Sequence, residues 1–112
     1  MARERLVADL LQELQLAKND GALYITVKEQ SEDMARFYFR NGELNHVRYG
    51  SAVGRDCLDI LQYYTLKSAS FFEGIVSREA PAKDLPSTGD IIARFRSTGQ
   101  VVKVQGEEPG ME

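Results

Sequence analysis

His46 is the sole histidine of the chain and Cys57 the sole cysteine, so imidazole or thiol chemistry would have to use these two residues. A general base needs a nucleophile and an orienting partner within hydrogen-bond reach. The stretch FYFRNGELNHVRYG (37–50) supplies no such set around His46. A zinc ion takes about four ligands, or three and a water, and one His and one Cys among scattered carboxylates do not provide them. Cys57 falls on the apolar stripe of a helix and reads as a small core residue. The segment GSAVGR (50–55) is the candidate for phosphate chemistry. A glycine-bounded loop that opens a helix can cradle an anion with backbone N–H groups, which would make Gly50, Ser51, Gly54 and Arg55 the ligand-binding residues. The Gly-Lys-Ser/Thr of a Walker loop and the dinucleotide fingerprint are both missing, so the first reading is a turn from strand to helix. The acidic run Glu29–Asp33 lacks the spacing of a calcium loop and reads as a solvated turn.

The elements that must position these residues follow from periodicity. Leu6, Val7, Leu10, Leu11, Leu14 and Ala17 form one helical stripe over 3–18, with Leu16 off it, and Asn19-Asp20-Gly21 ends the helix. Residues 22–28 alternate as a half-buried strand, Leu23, Ile25 and Val27 inward. Asn41-Gly42 between 35–40 and 43–49 is the signal of a type I′ hairpin, because both central residues need positive φ. In plain alternation Phe37, Phe39, Leu44 and His46 share the core face. Tyr24, Arg36, Tyr38, Val47 and Tyr49 then share the opposite face, with Thr26 and Arg40, unless a bulge intervenes. Residues 55–65 read as a second helix and 69–76 as a fourth strand. Residues 77–88 form a polar linker, and Ser87 or Thr88 caps a third helix. VVKV (101–104) is a short strand or an arm.

The expected architecture is α+β: an antiparallel sheet of about four strands with helices packed on one face, in the order α-β-β-β-α-β-α. Residues 1–78 would be the domain, 79–105 a linker and C-terminal helix packing on or extending it, and 106–112 a disordered tail. A chain of 112 residues holds one modest core. Its net charge of −3 is the wrong sign for non-specific nucleic-acid binding. No apolar run reaches the roughly 20 residues that span a bilayer. The first residues, MARERLVADLLQEL, read as a helix of the mature protein and not a signal peptide, and a cytoplasmic location is expected.

The segments LLQELQLAKNDGALYITV and ARFYFRNGELNHVRYGSAVGRDCLDILQYYTLKSASFFEG resemble the PATAN domain, the PatA-like N-terminal domain of bacterial signalling proteins. The likeness rests on Gly21-Ala22-Leu23, on Phe37 to Gly42, on Leu44 with His46, on Gly50 and Gly54, and on Phe71-Phe72-Glu73-Gly74. It runs from about Leu6 to Ile75, and LPSTGDIIARF (85–95) is similar to a segment that often follows the domain. Val47 after the histidine and Cys57 in place of alanine are departures in packing. The resemblance implies a stand-alone, non-enzymatic protein–protein interaction or signal-relay module of two-component or motility pathways, without a cofactor. Its partner would be a response regulator or another signalling protein. Tyr and Arg are enriched in binding hot spots, so the expected docking surface is the Tyr24/Arg36/Tyr38/Val47/Tyr49 face. Exposed Leu16, Ile60 and Tyr63 form a second contact surface. A sensor of a small phosphate ligand at Gly50–Arg55 and a structural homodimer are the alternatives.

Overall fold

The computed structural model describes residues 3–29, 33–80 and 83–104. Its elements are β1 (Arg3–Leu6), α1 (Val7–Leu16), β2 (Gly21–Val27), β3 (Met34–Arg40), β4 (Glu43–Tyr49), β5 (Ala52–Val53), α2 (Arg55–Leu61), β6 (Leu66–Glu73), α3 (Thr88–Thr98) and β7 (Val101–Val104). All seven strands join one sheet in the order β1-β7-β6-β2-β3-β4-β5. Every neighbouring pair is antiparallel except β6 and β7, which run parallel.

The expected four-stranded antiparallel sheet is therefore corrected to a mixed sheet of seven strands. Three short strands make the difference. Arg3–Leu6 has helix-forming residues, but it pairs with Val101–Val104, and that tertiary pairing overrides local propensity. Val7 N–H donates to the Gln100 carbonyl at 3.0 Å where the strand turns into α1. Ala52 and Val53 form β5 on the edge of β4. The fourth expected strand shifts to Leu66–Glu73, so Ile75 and Val76 lie beyond it. A parallel β6–β7 pair needs a crossover, and residues 74–100, including α3, supply it.

One core cluster unites residues from α1, α2, α3 and one side of the sheet. Leu23 and Ile25 of β2, Phe37 and Phe39 of β3, and Val47 of β4 meet Leu11, Leu58, Ile91 and Phe95 there. Ile91, Ile92, Phe95 and Val102 thus place residues beyond 78 in the same core as the rest. The tail expected to be disordered, 106–112, lies outside the described residues, as do residues 30–32 of the acidic turn. The Ser87 hydroxyl accepts from Asp90 N–H at 3.1 Å and caps α3, as the sequence predicts. Gly99 closes the same helix in the left-handed conformation. At the end of α1 it is Lys18, not Gly21, that turns left-handed.

The hairpin between β3 and β4 has the predicted two-residue turn, with φ of 54° at Asn41 and 85° at Gly42. It docks on the end of α1. Gly42 N–H donates to the Asn19 carbonyl at 2.9 Å, and Asn41 N–H donates to the Asp20 carboxylate. A Cβ on Gly42 would stand 2.5 Å from the Gln15 carbonyl oxygen and 2.9 Å from Lys18 Cα, both backbone atoms that cannot swing aside.

Two outcomes follow from this packing. Gly42→Ala should lower unfolding stability by more than Gly50→Ala, which meets open space at a comparable positive φ and should cost only about 1–2 kcal/mol; urea denaturation of both variants measures the difference. Cys57 has no exposed surface, and burial pushes its thiol up to about 12. The folded protein should resist alkylation by iodoacetamide at pH 8 and react only when unfolded in guanidinium, as read by mass spectrometry.

Candidate functional site

The register of the hairpin decides what faces solvent. Arg40 lies opposite Glu43 and Phe39 opposite Leu44, and then the ladder shifts so that Tyr38 faces His46 and Phe37 faces Val47. Asn45 is the extra residue, a β-bulge. Beyond it every side chain of β4 swaps sides relative to plain alternation. Val47 and Tyr49 are turned into the core, and His46 and Arg48 join Tyr24, Arg36 and Tyr38 on the other side. This corrects the expected docking face: Tyr24, Arg36 and Tyr38 keep their places on it, while Val47 and Tyr49 leave it. Burial raises the pKa of the Tyr49 phenol, and the neighbouring Tyr64 adds to the effect, its ring 5.8 Å away.

His46 is only 2 % exposed although it lies on the side away from the helices. The segment that follows β6 covers it. Its Nε2 stands 2.8 Å from Glu79 Oε1. A carboxylate can only accept, so Nε2 carries the proton of this bond. The Arg48 guanidinium binds the other oxygen of the same carboxylate. This hydrogen bond from Arg48, with a smaller one from His46, holds the Glu79 carboxyl below its ordinary value against a desolvation that works the other way. Arg48 also donates through Nε to the Gly50 carbonyl at 2.8 Å. His46 Nδ1 is buried with no hydrogen-bond partner among the described residues.

Beside this contact lies an open cleft of about 350 Å³, walled by Arg36, Tyr38 and Arg48 of the sheet and by Val76 to Glu79 of the covering segment. Arg36 and Arg48 are directly opposite across β3 and β4. Arg36 also lies over the Tyr24 ring, 5.7 Å from its centre. The Tyr24 ring in turn packs on Phe72 at 5.2 Å. Phe72, Ile75 and Val76 are exposed, which continues an apolar strip from the sheet onto the covering segment. Partial burial raises the Tyr38 pKa, and the adjacent Tyr24 adds to this.

The loop of Gly50, Ser51, Gly54 and Arg55 has a different role from an anion cradle. Gly54 N–H donates to the Val47 carbonyl at 3.2 Å, and β5 occupies the middle of the loop. Arg55 N–H faces the Asp84 carboxylate at 3.4 Å, so an acidic side chain of this chain already sits at the start of α2. Leu16 and Tyr63 are strongly exposed, as expected, and Ile60 is partly buried against the core. No cluster of three or more His, Cys, Asp or Glu suited to a metal ion occurs among the described residues. No helix among them is long and apolar enough to cross a membrane. Sequence reading overlooked Arg48, Arg78 and Glu79. The distant Glu79 carries no local signal, but Arg48 was legible once Leu44, Val47 and Tyr49 were seen to break strict alternation.

Comparison with protein-family models, curated proteins and solved structures finds no match to this chain.

The acid response of the Glu79 contact has a defined sign. A carboxyl held below its unfolded value contributes stability that is present above that value and is lost as pH falls through the folded one. Glu79 should therefore titrate below 4.5 in carboxyl-detected NMR, and its release should move the His46 ring signals in the same acidic range. In Arg48→Met the midpoint should return toward 4.5.

Proposed function

We propose that this chain is a non-catalytic interaction module that docks a protein partner on the solvent-facing side of its sheet. One observation carries this reading: Phe72, Tyr24, Arg36 and Tyr38 form an aromatic and cationic strip on a sheet face that no helix among the described residues covers, extended by exposed Ile75 and Val76. Tyr and Arg combine large contact area with hydrogen-bonding tips and dominate binding hot spots. Apolar surface gathered in one exposed patch favours association. The buried Cys57, whose thiol burial pushes up to about 12, and the burial of the His46 ring, whose Nδ1 meets no hydrogen-bond partner among the described residues, both argue against nucleophilic or general-base chemistry. The PATAN-like motifs support a signal-relay role in a bacterial cytoplasm, with a response regulator or another signalling protein as the partner.

The test is affinity capture from the native lysate with three forms of the protein, each checked for folding by thermal melting. A partner held by the wild type and by Tyr63→Ser, an exposed control on another surface, should be lost by Tyr24→Ser/Phe72→Ser. Loss of these two rings should weaken binding by about 2 kcal/mol or more, roughly thirtyfold. Equal capture by the folded double variant would sink the sheet-face reading, and a complex of two copies seen by light scattering would make a second copy of this chain the partner.

A further inference from the structure

The arginines at the cleft pose an electrostatic problem that the chain itself solves only in part. Arg36 and Arg48 are cross-strand partners on one face. Like charges placed directly opposite destabilise a sheet. Arg78 of the covering segment lines the same cleft and has no ion-pair partner among the described residues, and neither has Arg36. Three arginines thus line a cleft that holds a single carboxylate, Glu79. The whole chain carries a net charge of −3, so this concentration of cations is local.

The seat for an oxyanion is already built. Glu79 places its two oxygens on two separate donors, His46 Nε2 and Arg48 Nη1, and the imidazole is almost fully buried. Arg36 is steadied over Tyr24. Tyr38 and Ser77 belong to the same walls. A guanidinium presents paired N–H donors that match phosphate and carboxylate oxygens. The cleft volume of about 350 Å³ is at the small end of the ordinary range for small-molecule sites, roughly 300–1,000 Å³.

We propose that this cleft binds a small molecule bearing a phosphate monoester, whose dianion bridges Arg36, Arg48 and Arg78 and competes with Glu79 for its seat. With Glu79 displaced, three guanidinium groups face the two negative charges of the ligand. Its organic part lies along Tyr38 and Val76. The site differs from the Gly50–Arg55 loop, where Asp84 holds the helix start. It shares Arg36, Tyr38 and Val76 with the proposed docking face but needs no protein partner.

Phenyl phosphate is the probe, titrated into the full chain by calorimetry and by two-dimensional NMR, against benzoate and against sodium chloride at matched ionic strength. Saturable binding is expected, with shifts centred on the His46 ring and the 76–79 amides. Arg36→Gln should weaken it about tenfold or more, the loss of one charge-assisted hydrogen bond. Glu79→Gln removes the resident competitor and should tighten binding up to about fivefold. Phe72→Ser, which removes an exposed ring of the proposed docking strip and none of the cleft walls, should weaken partner capture and leave phosphate affinity within about twofold of wild type, so the two readings fail separately. Shifts reproduced by chloride, or weaker binding in folded Glu79→Gln, would overturn the proposal. So would a phosphotyrosyl peptide that binds while phenyl phosphate does not.

Discussion

Asn45 is one residue more than the ladder between β3 and β4 can pair, and both faces of the sheet are sorted by it. Without the bulge, Arg48 would point among Phe37, Leu58 and Phe95, and Val47 and Tyr49 would lie in water. Burying an unpaired guanidinium costs several kcal/mol, whereas burying a side chain such as Val47 contributes about 1.5–3 kcal/mol. The bulge exchanges the first outcome for the second. It also brings Arg48 opposite Arg36 and His46 opposite Tyr38, and so assembles the polar face in the same step that completes the core. Next to it, the Leu44 N–H donates to the buried Thr88 hydroxyl at 2.9 Å, which ties the start of α3 to the hairpin.

The parallel pairing of β6 with β7 imposes a second constraint, because the chain must leave the sheet and return in the same direction. The crossover does more than reconnect strands. Its first part passes over the polar face, where Glu79 meets His46 and Arg48, and Asp84 then reaches the start of α2. Leu85 packs against the core before α3 begins. The crossover is thereby tied down by carboxylates at two places, Glu79 on the polar face and Asp84 at the start of α2.

Most local elements were legible in the sequence because each has a signal confined to a few residues. Asn41-Gly42 gives the turn, Leu23, Ile25 and Val27 give the inward side of β2, and Ser87 gives the cap of α3. What was not legible depended on partners distant in sequence. Arg3–Leu6 becomes a strand only because Val101–Val104 lies beside it. The sidedness of the sheet residues was partly legible for a related reason: Tyr24, Arg36 and Tyr38 obey alternation, while Val47 and Tyr49 follow a register reset by one residue. The spacing of three between Leu44 and Val47 was the visible trace of that reset. Glu79 had no such trace, since its meaning comes from a contact 33 positions back in the chain.

The pairing of β1 with β7 sets Arg3 directly across from Val104, so the first and last described residues stand side by side at one end of that strand pair. Hydrogen bonds in an antiparallel ladder run perpendicular to the strands. Tension applied between those residues would load the β1–β7 bonds one after another, opening them like a zipper instead of shearing them together. Pulled at that edge, β1 would part from β7 before the β3–β4 hairpin, which stands beyond β6 and β2 in the sheet, bears any load.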